Sequence, residues 1–169
     1  MLMMGELSFF LGLQVKQSKD GIFLSHSKYF KEILKKFEME KCKKATTPLS
    51  TSCYMDADAT GTTVVQAKYR GLIGSLLYLT ANRPDIMFTV CLCARFQSNQ
   101  KESHLKAAKR ILKYLKDTTT IGLWHPSQSP IHLVGYSDSD LAGCKLDKKS
   151  TGGTCHLLGS SIIYWHRKN

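Results

Sequence analysis

Between Asp117 and Thr120 the apolar spacing of the chain changes from helical to extended, and this break limits the possible folds more than any other feature. Before it, Leu105, Ala108, Leu112 and Leu115 recur at helical spacing from a start near Ser103. Lys106, Lys109, Arg110, Lys113 and Lys116 form a second, basic stripe on the same segment. After it, Ile121-Gly122-Leu123-Trp124, Ile131 to Ser137, Gly152 to Leu158 and Ile162-Ile163-Tyr164-Trp165 read as four strands divided by Pro, Gly, Ser and Lys-rich turns. The carboxyl-terminal third is therefore expected to be β-rich and the middle helical.

Upstream of the break, Ser8 to Gln17 ends in alternation, Ser18-Lys19-Asp20-Gly21 supplies turn chemistry, and Ile22-Phe23-Leu24 returns, which predicts a β-hairpin. Ser25 or Ser27 can cap a following helix with Tyr29, Phe30, Ile33, Leu34 and Phe37 on its apolar side, ending near Glu40. Residues 41–63 carry little apolar periodicity and a proline at 48, and read as a long surface connection. Tyr69, Leu72, Ile73, Leu76, Leu77 and Thr80 then mark a helix in which Gly71 and Gly74 permit close approach of another backbone. Pro84-Asp85 opens a further helix to about Phe96.

The 169 residues carry 24 Lys and Arg against 13 Asp and Glu, a formal charge of +11, which favours polyanionic partners, nucleic acid first. The excess is local: residues 1–50 hold 9 basic and 5 acidic groups, residues 101–120 hold 6 and 2. Cysteines at 42, 53, 91, 93, 144 and 155 show neither a CxxC pair nor zinc spacing, and are expected to be reduced structural thiols. No apolar run reaches the roughly 18 to 20 residues that span a bilayer. The start at Met1 lacks a basic region and a small-residue cleavage site. The expectation is an intracellular protein with no membrane partner and no secretory address.

Two stretches go beyond patterning. Tyr69-Arg70-Gly71-Leu72-Ile73-Gly74-Ser75-Leu76-Leu77-Tyr78-Leu79-Thr80, Arg83-Pro84-Asp85-Ile86, His104 and Lys109 to Lys116 closely resemble, in order and spacing, the Pol polyprotein of copia-type LTR retrotransposons. Gly135-Tyr136-Ser137-Asp138-Ser139-Asp140-Leu141-Ala142-Gly143 and Asp147-Lys148-Lys149-Ser150-Thr151-Gly152-Gly153 look like the opening of that family's ribonuclease H domain. Gly5-Glu6-Leu7 and Phe10-Leu11-Gly12 look like the end of its reverse transcriptase palm. The resemblance covers essentially the whole chain. It implies an α+β fold: a β-hairpin plus a helical thumb and connection region, followed by an incomplete RNase H-like mixed sheet. The parts implied are residues 1–25 as the primer-grip hairpin, 26–120 as thumb and connection with the 41–63 linker, and 121–169 as the first part of the RNase H-like domain.

The same resemblance implies site residues. Phe10, Leu11 and Gly12 would press against a primer strand, the alternative being a buried strand with a glycine bulge. Lys106, Lys109, Arg110, Lys113 and Lys116 would follow a template-primer duplex, the alternative being a solvated helix face. Asp138 matches the first RNase H carboxylate and, in the parent enzyme only, would be a catalytic Mg²⁺ ligand. A two-metal site needs about four carboxylates, and polymerisation needs a Tyr-x-Asp-Asp turn that this sequence does not contain. The chain is thus expected to be non-catalytic alone and to take no cofactor by itself. Its expected partners are an RNA/DNA hybrid or template-primer duplex and the remainder of Pol. A domesticated assembly protein using an exposed sheet edge is the alternative. Leu141 replaces a usual Trp, Cys144 a usual Asp and Asp117 a usual Gly, which suggests relaxed catalytic constraint. His104 could bond a backbone group or pack on the preceding helix, and Trp124, Trp165 and Tyr136 read as core or sheet-face aromatics rather than as stacking platforms for bases.

Overall fold

The computed structural model describes residues 5–50, 55–140 and 151–168. Cys53, Leu141-Ala142-Gly143, Cys144 and the Asp147 to Ser150 motif lie outside the described residues, and Asp140 is described only through its backbone. The chain divides into a helical unit, residues 30–119, and a β-rich unit built from residues 1–29 and 120–169.

The helical unit contains most of α1 (Ser27–Lys36) and all of α2 (Gln66–Leu79), α3 (Pro84–Ala94) and α4 (Glu102–Asp117). Tyr69, Leu72, Ile73 and Leu76 of α2 and Ala108, Leu112 and Leu115 of α4 are buried as the periodicity predicts, together with Ile86 and Val90 of α3 and Ile111 of α4, whereas Leu77, which the spacing also marks, is 40% exposed. The Tyr69 hydroxyl enters this core because it donates to the Cys93 carbonyl at 2.8 Å. α1 stops at Lys36 rather than at the expected Glu40. Glu38 takes a left-handed φ of 57°, the Glu38 N–H reaches the Lys35 carbonyl, and the Met39 N–H reaches the Leu34 carbonyl at 2.8 Å. This is a Schellman stop with Met39 buried behind it, made without the usual glycine and so invisible to residue type.

The connection expected at 41–63 is strapped to α4. Ala45 N–H bonds the Lys113 carbonyl, Lys44 pairs with Asp117 at 2.9 Å, and Thr63 bridges to Lys101.

The β-rich unit holds two sheets. The first runs β1 (Phe9–Phe10), β2 (Leu13–Ser18), β3 (Gly21–Ser25), β4 (Leu123–Pro126), and the second runs β5 (Leu133–Asp140), β6 (Thr151–Leu158), β7 (Ser161–Lys168). Both the α+β class and the hairpin hold. The expected mixed sheet does not appear among the described residues, where every strand pairing is antiparallel. The strand at 123–126 also pairs with β3 rather than with the strands that follow it, with Phe23 opposite Trp124. Local pattern gives a strand but not its neighbour. Among the described residues no helix is long and apolar enough to cross a membrane.

Candidate nucleic-acid interface

Of the basic stripe on α4, part is turned inward. Arg110 donates through Nε and Nη2 to the Thr47 carbonyl and hydroxyl at 3.2 and 3.1 Å. Lys116 Nζ donates to the Glu40 and Cys42 carbonyls at 2.5 and 2.9 Å. These two cations fasten the 40–47 segment along the helix. Lys106 is exposed and lies 3.8 Å from Glu102, an exposed pair that holds it weakly, while Lys109 and Lys113 are half-buried along their stems. Lys106, Lys109 and Lys113 are thus the members of the stripe that the strap does not engage through a side-chain bond among the described residues.

Two polar clusters fix the ends of α4. At its start, His104 is buried, accepts the Lys101 N–H on Nδ1 at 3.0 Å, and donates from Nε2 to the Asp56 carbonyl at 2.7 Å. Its ring stacks on Phe96 with centroids 3.9 Å apart. At its end, Arg83 donates to both Asp85 carboxylate oxygens at 2.9 and 2.7 Å, and to the carbonyl and hydroxyl of Thr118 at 2.9 and 2.7 Å. The Tyr114 hydroxyl donates to Asp85 at 2.9 Å. Burial pushes the Asp85 carboxyl upward, but the hydrogen bond and charge of Arg83 outweigh it and hold the group below the ordinary carboxylate range. Burial, then the bond to Asp85, raises the Tyr114 phenol.

Phe10 ends β1, and Leu11-Gly12 form a two-residue turn with φ of 48° and 82°. Phe10 lies opposite Leu13 and Phe9 opposite Gln14, the register of a tight hairpin. Leu11 is 78% exposed at the tip. A leucine in a conformation that favours Gly or Asn, with its side chain largely in water, is a costly choice for stability alone.

Asp138 lies on β5, exposed, with Gly153 opposite on β6. Among the described residues no group of three or more His, Cys, Asp or Glu could hold a metal ion. Among the described residues, one exposed carboxylate facing a glycine does not make a two-Mg²⁺ site.

The surface that sequence reasoning missed is on α2. Arg70, Gly71, Gly74, Leu77 and Tyr78 share its outer face, and all are exposed. A Cβ added at Gly71 or at Gly74 would meet nothing within 4 Å. The close backbone neighbour that the two glycines permit is not found at this face among the described residues. Their spacing was legible, but which side of the helix faces outward was not, because Leu77 and Tyr78 on the exposed side are as apolar as the buried residues.

No family model matches the chain, and no solved structure does. Curated relatives do. An uncharacterised mitochondrial protein of Arabidopsis thaliana is 35% identical over 98% of this chain and 68% of its own length. The retrovirus-related Pol polyprotein from transposon RE1 of the same plant is 37% identical over 96% of the chain. That from transposon TNT 1-94 of Nicotiana tabacum is 32% identical over 98%. The chain spans 11% and 13% of these two polyproteins. With identities of 32–37% over 96–98% of its length, the chain belongs to the family of copia-type retrotransposon Pol polyproteins.

Proposed function

We propose that this stretch of Pol holds a template-primer duplex of RNA and DNA, with the carboxylates for synthesis and RNA hydrolysis supplied elsewhere in a polyprotein. The outer face of α2 carries the reading. Gly71 and Gly74 leave a floor without side chains, so a sugar-phosphate ridge or shallow groove can come close to the helix, and Arg70 and Tyr78 flank that floor. Lys106, Lys109 and Lys113 add charge along α4, and each phosphate they neutralise releases counterions. In the β-rich unit the Leu11-Gly12 turn is the primer-facing element of this reading, and Asp138 becomes a metal ligand only where further carboxylates join it.

The test is titration of a fluorescein-labelled RNA–DNA hybrid with the purified chain. Gly74→Leu fills open space on an exposed helix face, so the fold is kept and helix propensity rises. It should weaken hybrid binding at least about tenfold, a loss of roughly 1.4 kcal/mol. Unchanged binding with Gly74→Leu would remove the α2 face from the interface.

One observation favours a second reading, assembly through a sheet edge. β1 has two residues, β4 ends in Pro126, and β7 carries a register shift and the cation Arg167. β5 is an eight-residue edge without Pro, Lys or Arg. A discrete oligomer in sedimentation that dissociates on Tyr136→Pro would support assembly; a monomer at all concentrations would exclude it.

A further inference from the structure

Away from these surfaces, the first sheet carries a cavity of about 310 Å³ lined by Lys16, Ser18, Phe23 and Trp124. Its walls come from three neighbouring strands in register. Lys16 on β2 lies opposite Phe23 on β3, and Phe23 lies opposite Trp124 on β4, so the cation and both rings stand side by side on one face. Ser18 follows two residues after Lys16 on the same face. Glycines hold the rings in place. A Cβ on Gly21 would lie 2.9 Å from Cζ2 of Trp124, and a Cβ on Gly122 would lie 2.7 Å from Cζ of Phe23, so each ring occupies space that any other residue would claim.

The chemistry of this cavity is specific. Trp124 is 44% exposed despite its size, and Phe23 is half-buried beside it. None of the ion pairs among the described residues takes Lys16, so its ammonium is available to an anion. Ser18 Oγ donates to the Gly21 carbonyl at 3.0 Å, which leaves its lone pairs to accept. Planar aromatic walls, one cation and one acceptor match a ring that bears an anionic group. The volume sits at the small end of ligand cavities, enough for one nucleotide and too small for a dinucleotide cofactor.

We infer that this cavity seats a single unpaired nucleotide of an RNA or DNA strand, its base stacked on Trp124 and Phe23 and its phosphate on Lys16. The β-rich unit carries eight Lys and Arg against five Asp and Glu, and this positive balance favours an anionic strand over an isolated neutral ring. Stacking platforms on sheets bind single strands in this manner, with little preference for base because every base offers a π-face. The inference does not depend on the duplex surface of α2, since the cavity lies wholly within the β-rich unit.

The experiment measures anisotropy of labelled single-stranded oligo(dT) and oligo(rU), about ten nucleotides long, beside a blunt RNA–DNA duplex, using the full chain. Trp124→Leu should weaken single-strand binding roughly tenfold or more, while Trp124→Phe keeps most of it. Lys16→Gln, at an exposed position that cannot unfold the sheet, should lower the slope of log affinity against log salt by about one. Duplex binding should be unchanged in all three, whereas Gly74→Leu should show the opposite pattern, so failure of the duplex reading and failure of this one are distinguishable. Equal single-strand affinity for Lys16→Gln and the parent chain would overturn the inference. So would a mononucleotide binding as tightly as the strand, or a Trp124→Leu effect confined to self-association in sedimentation.

Discussion

Arg83 brings a full charge into a setting where its side chain is 6% exposed; its bonds to Asp85 hold it at the start of α3 and its bonds to Thr118 tie it to the end of α4. Removing one partner from such a pair leaves the other desolvated, so Arg83→Ala should lower unfolding free energy by about 3–5 kcal/mol. Arg83→Lys should recover little of it, because an ammonium cannot span both carboxylate oxygens and Thr118 at once. Chemical denaturation of the two variants checks both statements. The sign of the pH effect follows from Asp85. Its folded carboxyl is held below the unfolded value of about 3.9, so the clasp stabilises fully above that pH and is lost as pH falls through the lower folded value. Asp85→Asn should therefore be less stable than the parent at neutral pH, with the difference shrinking below about pH 4. A difference that stays constant down to pH 2 would place the stabilisation elsewhere. The sequence displayed Arg83 and Asp85 only as two letters of a motif; that they close on Thr118 depends on a contact 35 residues away.

At the scale of elements, spacing revealed which segments are helix or strand and left open how each ends and what it touches. α4 shows both sides. Its apolar stripe at Leu105, Ala108, Leu112 and Leu115 marks the packed side, and Ala108, Leu112 and Leu115 are buried. Its basic stripe was readable as charge, yet nothing local tells that Arg110 and Lys116 are spent on backbone carbonyls of the 40–47 strap. Arg110→Ala should thus reduce stability by about 1–2 kcal/mol through lost bonds, and Lys109→Gln should leave stability within about 0.5 kcal/mol while lowering the salt slope of hybrid binding. The left-handed stop of α1 makes a similar case. Glu38→Gly at a φ of 57° should raise stability by about 1 kcal/mol in thermal unfolding. At the hairpin tip, Leu11→Asn relieves the same kind of strain and should stabilise by about 1 kcal/mol. Should it also weaken hybrid binding, the leucine is held at the tip for contact; should binding stay equal, the tip plays no part in it.

For the whole molecule, the α+β class and the family were legible because both rest on long, ordered runs of residues: the period change at residues 117–120, and the motifs from Tyr69 to Lys116 and from Gly135 to Gly153. The division into units was harder to see, since residues distant in sequence share a sheet, with Leu123–Pro126 completing the edge beside Gly21–Ser25. In the function we propose, the glycine-floored helix and the lysines Lys106, Lys109 and Lys113 of this Pol segment face a duplex. Asp138 belongs to no group of three or more metal-ligating side chains among the described residues. The most direct measurement is the affinity of the purified chain for an RNA–DNA hybrid as salt is raised from roughly 50 to 200 mM, a range over which several neutralised phosphates weaken binding by orders of magnitude. Micromolar or tighter binding that falls steeply with salt, and that Gly74→Leu weakens at least about tenfold, is the expected result. Binding that ignores salt, or is absent at low salt, would contradict a role in holding template and primer.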